Sequence, residues 1–137
     1  MTALIDTGFL YATLDKGDQN HRRATNTLTN STDDLLLLPT IVLVELTYLL
    51  QARLGHAAMR LFIRRLEHSP LQFEVLTKGD VPRIYELLNL YADMHLDFVD
   101  AAIVTLAERL NIRRILTVDG DFRVVRPKHC DYFDILP

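Results

Sequence analysis

Cysteine occurs once in this sequence, at Cys130, and the five histidines are scattered with none of the spacing that a zinc site requires. An internal disulfide framework is therefore excluded, and a reducing cytoplasm is the expected setting. There is no uninterrupted apolar run long enough to span a bilayer. The nearest approach, Leu35 to Ala52, is split by Pro39 and carries Glu45 near its middle, so it is predicted to be a strand, a break and a buried helix, with no membrane partner. No basic region precedes the apolar residues at the N-terminus, and Asp6 falls among them, so a signal peptide is not expected. Repeats, low-complexity tracts and linkers are absent as well, which leaves residues 1–137 as one expected domain.

What is present suits a globular fold. Hydrophobic residues make up 49% of the chain and charged residues 24%, and a chain of 137 residues can bury roughly two-thirds of its unfolded surface in one core. The pattern alternates. Thr2 to Thr7 reads as a first strand delivering Asp6 into a helix that begins near Phe9, and Asn20 to Asn30 reads as a mostly polar helix after the turn Asp15 to Asp18. Asp15, Asp18 and His21 are expected at the surface. A loop is predicted over Thr29 to Asp34, then a doubly buried strand Leu35 to Leu38, then a helix Ile41 to Arg53 with Thr40 as N-cap. That helix is apolar nearly all round and is expected to be interior. Further helices are predicted at Ala57 to Glu67 and Val81 to Tyr91, with short strands at Phe73 to Leu76, Ile115 to Val118 and Tyr132 to Leu136, the last at an edge. Strands alternating with helices argue for a three-layer α/β/α sandwich around a mostly parallel sheet.

The segment Asp97 to Leu110 organises the reading. It is an amphipathic helix with Val99, Ala102, Ile103, Leu106 and Leu110 along one stripe, and Asp100 leans toward the packed face, where an unpaired carboxylate is costly. Three other acids interrupt apolar settings: Asp6 ends Ala-Leu-Ile, Glu45 interrupts Ile-Val-Leu-Val, and Asp119 ends Ile-Leu-Thr-Val. Each has a purely structural alternative. Asp6 or Thr7 can be a helix cap, Glu45 can pair with a cation, Asp97 and Asp100 resemble a capping box, and Asp-Gly at 119–120 can turn a β-hairpin.

Together the acids at strand ends and in apolar helices imply one pocket. Carboxylates gathered there repel and need a countercharge, and oxygen ligands without His or Cys favour Mg²⁺ or Mn²⁺ over zinc. Such an ion suits phosphodiester hydrolysis, one ion lowering the pKa of the attacking water and a second, about 4 Å away, stabilising the leaving oxygen. Thr7 and Thr117 are candidates to hold waters or orient carboxylates. Net charge is −3, but setting Asp6, Glu45, Asp97, Asp100, Asp119 and Asp121 aside leaves twelve acids against fifteen Lys and Arg. Arg53, Arg60, Arg64 and Arg65, and separately Arg109, Arg113 and Arg114, are then available to contact phosphates, or simply form solvated helix faces.

The ordered series Asp6-Thr7-Gly8, Glu45 in an apolar helix after a proline, Asp100-Ala-Ala-Ile-Val-Thr-Leu-Ala, and Thr117-x-Asp119-x-Asp121-Phe122 resembles the PIN domain, especially the small VapC-type toxins. The resemblance spans essentially the whole chain. It implies a PIN-like α/β/α fold and an Mg²⁺- or Mn²⁺-dependent endoribonuclease with Asp6, Glu45, Asp100 and Asp119 as the catalytic acids. Asp6, Asp100 and Asp119 would be metal ligands, with Thr7, Asp97, Thr117 and Asp121 in support. It further implies an RNA substrate, a cognate antitoxin protein and a homodimer. One departure is Gly8, since a hydroxyl residue often stands at that place in the toxins. Two other readings fit less of the chain: a non-catalytic PIN-like module binding RNA or protein, and a phosphoacceptor receiver-type domain, which would want paired acids after the first strand and a late lysine.

Overall fold

The computed structural model describes residues 1–33 and 35–137. Its strands are β1 (Thr2–Ile5), β2 (Leu35–Pro39), β3 (Gln72–Glu74), β4 (Arg114–Leu116) and β5 (Asp134–Leu136). The helices are α1 (Thr7–Leu14), α2 (His21–Thr29), α3 (Thr40–Leu54), α4 (His56–Leu66), α5 (Val81–Leu90), α6 (Phe98–Leu110) and α7 (Asp121–Val124). Every strand pairing is parallel, in the order β3-β2-β1-β4-β5.

That order fixes where a site can form. From β1 the chain builds outward through β2 to β3, then crosses back over to β4 on the other side of β1. Right-handed crossovers in opposite directions place their helices on opposite faces, which gives the three layers and opens a crevice at the carboxyl ends of β1 and β4. Helix packing agrees: α1 touches α2 and α3, α3 touches α4, and α5 pairs with α6.

Local chemistry sets the boundaries. Gly55 takes φ 98° between α3 and α4, Asn111 closes α6 in the left-handed region at φ 55°, and Pro82 occupies the first turn of α5. The core joins Leu4, Ile5, Leu38, Leu46, Ile103, Leu106, Ile115 and Leu116, all fully buried. No helix among the described residues is long and apolar enough to cross a membrane.

Several expectations change. Helix α6 is buried on every side from Asp100 to Ala107, because Ala101, Ala102 and Ala107 let neighbours approach all round it. Helix α3 instead has an open face: Val44 is 74% and Tyr48 72% exposed, so an apolar sequence did not make an interior helix. Pro39, not Thr40, occupies its N-cap position, without a side-chain cap. The two short strands lie at 72–74 and 114–116, slightly before their predicted places, and Asp121–Val124 is helical, which removes the hairpin alternative. Asp15 accepts from the Tyr11 hydroxyl at 2.6 Å and the His21 ring meets the Ala12 carbonyl at 2.7 Å, so both are half-buried and not free surface groups. The loop predicted over Thr29 to Asp34 is present from Asn30 to Asp33, Thr29 being the last residue of α2; Asp34 lies outside the described residues.

Two of the three arginines in the second cluster are tied to acids, and the third, Arg113, is exposed. Arg109 is tied to Asp80 at 2.9 Å and reaches Glu74 at 3.6 Å, while Arg114 bridges Asp33 at 2.8 Å and Asp134 at 2.7 Å. Arg83 likewise holds Glu108 at 2.8 Å. In the first cluster, Arg53 lies over the Tyr11 ring at 5.1 Å, and Arg60, Arg64 and Arg65 are exposed.

Candidate metal centre

Strand β1 ends at Ile5, and Asp6 immediately becomes the N-cap of α1, accepting the Thr7 N–H at 2.8 Å. Capping therefore does explain part of Asp6. It uses one carboxylate oxygen; the other accepts the Thr117 hydroxyl at 2.7 Å, across the gap between β1 and β4. The same Thr117 oxygen accepts the Asp119 N–H at 3.0 Å, and Asp119 in turn accepts the Asp121 N–H at 2.9 Å. A turn of consecutive side-chain acceptors thus holds the chain as it leaves β4.

Asp97 caps α6 by accepting the Asp100 N–H at 2.8 Å. Its side of the capping box is present, but Asp100 does not complete it. The Asp100 side chain is directed to the other acids, and the residue is 5% exposed. Asp6, Asp100 and Asp119 each present a carboxylate oxygen within 4.8 Å of the others, and no other such group of His, Cys, Asp or Glu occurs among the described residues.

The electrostatics are those of a site short of positive charge. Burial pushes the Asp6 carboxyl up to about 6; hydrogen bonds from Thr117 and Thr7 oppose the rise and the charges of Asp119 and Glu45 add to it. Burial, then the charges of Asp6, Asp97 and Asp119, push Asp100 up to about 9. Asp121 is also raised, by burial and then by Asp119 and Asp97. Elsewhere the balance is reversed. Asp80 is buried too, yet hydrogen bonds from the Thr77 backbone and Arg109 outweigh that burial and hold it below the usual carboxylate range.

The donor set fits a hard divalent cation: three carboxylates, two of them buried, and no cation paired to them among the described residues. Beside Asp6, the Thr7 hydroxyl is buried with no partner among the described residues, as a group awaiting a bound water would be.

All the acids singled out in the sequence are thus coupled, though not equally. Glu45 is half-buried on α3, close enough for its charge to act on Asp6 but outside the group of three. Asp97 is exposed and acts through its cap, and Asp121 is half-buried at the start of α7. Beyond Glu45, an open depression of about 500 Å³ is lined by Ile41, Val44, Tyr48, Phe98 and Val99. Sequence reading did not place these rings, although Tyr48 stands three residues after Glu45 and Phe98 directly after Asp97, spacings that put each beside an acid.

A crossover α/β sheet with acids converging at the ends of its two adjacent inner strands is the arrangement of a PIN domain. A model of that domain matches residues 3–127, and the chain belongs to the PIN domain family. It is 30% identical over 135 residues to Ribonuclease VapC26 of Mycobacterium tuberculosis, an alignment covering 98% of this chain and 99% of that protein. Its fold resembles the crystal structure of VapC20, a Sarcin-Ricin loop cleaving toxin of Mycobacterium tuberculosis, with a TM-score of 0.83 at 23% identity, covering 94% of this chain and 98% of the other. It also resembles FitAcB of Neisseria gonorrhoeae, with a TM-score of 0.65 at 20% identity over 86% and 88% of the two chains. A third likeness is to VapBC2 of Rickettsia felis bound to a DNA fragment from their promoter, at 0.66 and 14% identity over the full length of both.

Proposed function

We propose that this chain, as a single domain over residues 1–137, is a Mg²⁺- or Mn²⁺-dependent endoribonuclease and the toxin of a toxin–antitoxin pair acting in the cytoplasm. The observation that carries the reading is the group Asp6, Asp100 and Asp119, two buried and one half-buried, whose oxygens lie within 4.8 Å of one another with no cation paired to them among the described residues. Support for the substrate and the partner comes from the near full-length likeness to a VapC ribonuclease and the fold likeness to VapBC2.

The roles follow from position. Asp6, Asp100 and Asp119 would hold the ion, which when bound would supply a water of lowered pKa and a countercharge for the phosphate. Thr117 keeps Asp6 and Asp119 at a fixed separation through its two hydrogen bonds. Asp97 sets the entry of α6 and so the place of Asp100. Glu45, half-buried and outside the ligand group, would take the proton of the attacking water. Asp121 holds the Asp119 carboxylate through its own N–H. Self-association belongs to the same proposal: Val44, Tyr48 and Phe98 are 74%, 72% and 52% exposed beside the acids, an apolar face of the kind that a second copy covers.

The test is cleavage of structured RNA by the purified chain in Mg²⁺, Mn²⁺ or EDTA, alongside Asp6→Asn and Asp100→Asn. Loss of cleavage in EDTA and in both variants is expected. Cleavage that persists in either condition overturns the mechanism.

A further inference from the structure

Gly8 sits in the first turn of α1, in ordinary helical backbone, so conformation does not demand a glycine there. Space does. A Cβ built on Gly8 would lie 3.0 Å from Cγ2 of Val118, tighter than side chains tolerate without one of them giving way. Val118 is flanked by Thr117, whose hydroxyl binds Asp6, and by Asp119, which supplies a carboxylate oxygen to the acid group. The missing side chain at position 8 is thus filled by the residue that joins the two functional positions of the loop after β4.

From this contact we infer that Gly8 and Val118 form a size-matched positioning pair that sets the distance of Asp119 from Asp6. The inference rests on the metal reading above and adds residues that touch neither ion nor substrate. Asp6 is held at the N-terminus of α1, two residues before Gly8, while Asp119 follows Val118 directly. A push on the Val118 methyl that its half-buried side chain does not take up is passed to the backbone that carries Asp119. The loop has little other means of absorbing a push: Thr117 is anchored by its hydroxyl and by its N–H to the Leu136 carbonyl at 2.8 Å, and Asp119 by its N–H. A side chain at position 8 displaces Val118 outward, carries Asp119 with it, and opens the ligand group on one side.

The pair makes a prediction that a merely structural contact does not. A packing defect lowers the melting temperature of the metal-free protein and leaves the affinity of the surviving folded molecules unchanged. A positioning defect weakens metal binding, and trimming the partner restores it. The experiment titrates Mn²⁺ into the wild type, Gly8→Ala, Gly8→Ser, Val118→Ala and the double variant Gly8→Ala/Val118→Ala by calorimetry, with melting temperatures in EDTA recorded for each. Gly8→Ala is expected to weaken Mn²⁺ binding about 10-fold, the range seen when groups that orient a ligand are disturbed, and Gly8→Ser more. Val118→Ala alone changes affinity less than about 3-fold, and the double variant returns to within that range. Wild-type affinity in Gly8→Ala, or a double variant no better than Gly8→Ala, overturns the positioning pair and leaves the metal reading standing. A wild-type chain that binds no Mn²⁺ overturns both.

Discussion

The Thr117 hydroxyl donates to Asp6 at 2.7 Å and accepts from the Asp119 N–H at 3.0 Å, so one oxygen links the ends of two neighbouring strands whose residues are 111 positions apart. Replacing it by an isosteric methyl tests the link. In Thr117→Val the Asp6 carboxylate loses a donor and the Asp119 N–H an acceptor, at a cost of roughly 1–3 kcal/mol for partners left unpaired. Divalent-ion affinity, measured by calorimetry, is expected to fall about 10- to 100-fold. Thr117→Ser, which keeps the hydroxyl, stays near the wild type. Equal affinities for Val and Ser would show that the hydroxyl positions nothing.

Asp100 gives a prediction in which function and stability move in opposite directions. Its carboxyl is pushed up to about 9, so at neutral pH the metal-free fold must hold a proton that the unfolded chain has released. Asp100→Asn removes that cost. The variant is expected to be more stable than the wild type by at least roughly 1 kcal/mol in EDTA at pH 7, and inactive on RNA. Denaturant unfolding at pH 7 and at pH 4 measures the difference, which should shrink at the lower pH. A less stable variant would contradict the charge balance described here.

The pH dependence of the metal-free protein follows with its sign. Asp6 and Asp100 have folded values of about 6 and about 9, both above the ordinary 3.8, so between these limits the folded chain binds more protons than the unfolded one. Stability contributed by the site is therefore greatest at or below about pH 4 and falls as pH rises toward 9, the reverse of an acid paired with a cation. Saturating Mg²⁺ or Mn²⁺ should flatten the fall, because binding displaces the protons and favours the ionised acids. Melting curves across this range, with and without metal, decide it.

Glu45 separates binding from turnover. It lies outside the group of three oxygens, yet near enough for its charge to act on Asp6. Glu45→Gln is expected to leave Mn²⁺ affinity within about 3-fold of the wild type and to lower kcat by 100-fold or more, in line with loss of a proton acceptor. Affinity falling in step with kcat would make Glu45 a ligand instead.

Away from the site, the buried acid Asp80 is held by Arg109 at 2.9 Å and by the Thr77 N–H at 2.9 Å. Asp80→Asn removes the charge that holds Arg109, which is one-third exposed and keeps Glu74 at 3.6 Å and the Val75 carbonyl at 3.1 Å, so the expected cost is roughly 1–3 kcal/mol. Metal affinity measured well below the melting temperature should not change. A shift in affinity would mean that the pair reaches the centre after all.

The strand ends were legible because each couples a short apolar run to an abrupt acid: Ala-Leu-Ile before Asp6, Ile-Leu-Thr-Val before Asp119. Such a pattern reports the topology of a parallel sheet directly, since the carboxyl ends are where polar groups emerge. The burial of helices was not legible in the same way. Hydrophobicity favoured α3 as the interior helix, but its large side chains leave Val44 and Tyr48 outside, whereas the small side chains of α6 let it be surrounded. Cation placement failed for a related reason. Arg109 and Arg114 meet acids 29 and 81 positions away, and no local spacing announces such pairs. The acids at the centre could be recognised from sequence because nothing nearby in the chain balanced them; the fit of Gly8 against Val118 could not, because it is a matter of a few tenths of an ångström between distant segments.

The outermost strands, β3 and β5, are only three residues long, while β1 and β4, which carry the acids, are laddered on both sides. Fraying of β3 therefore stops one strand short of Asp6, whereas β5 meets the site directly, its Leu136 carbonyl holding the Thr117 N–H at 2.8 Å. Insertions or changes of surface at the β3 border can accumulate without retuning the chemistry at the middle of the sheet, which gives a small scaffold one side on which to diversify around an unchanged centre.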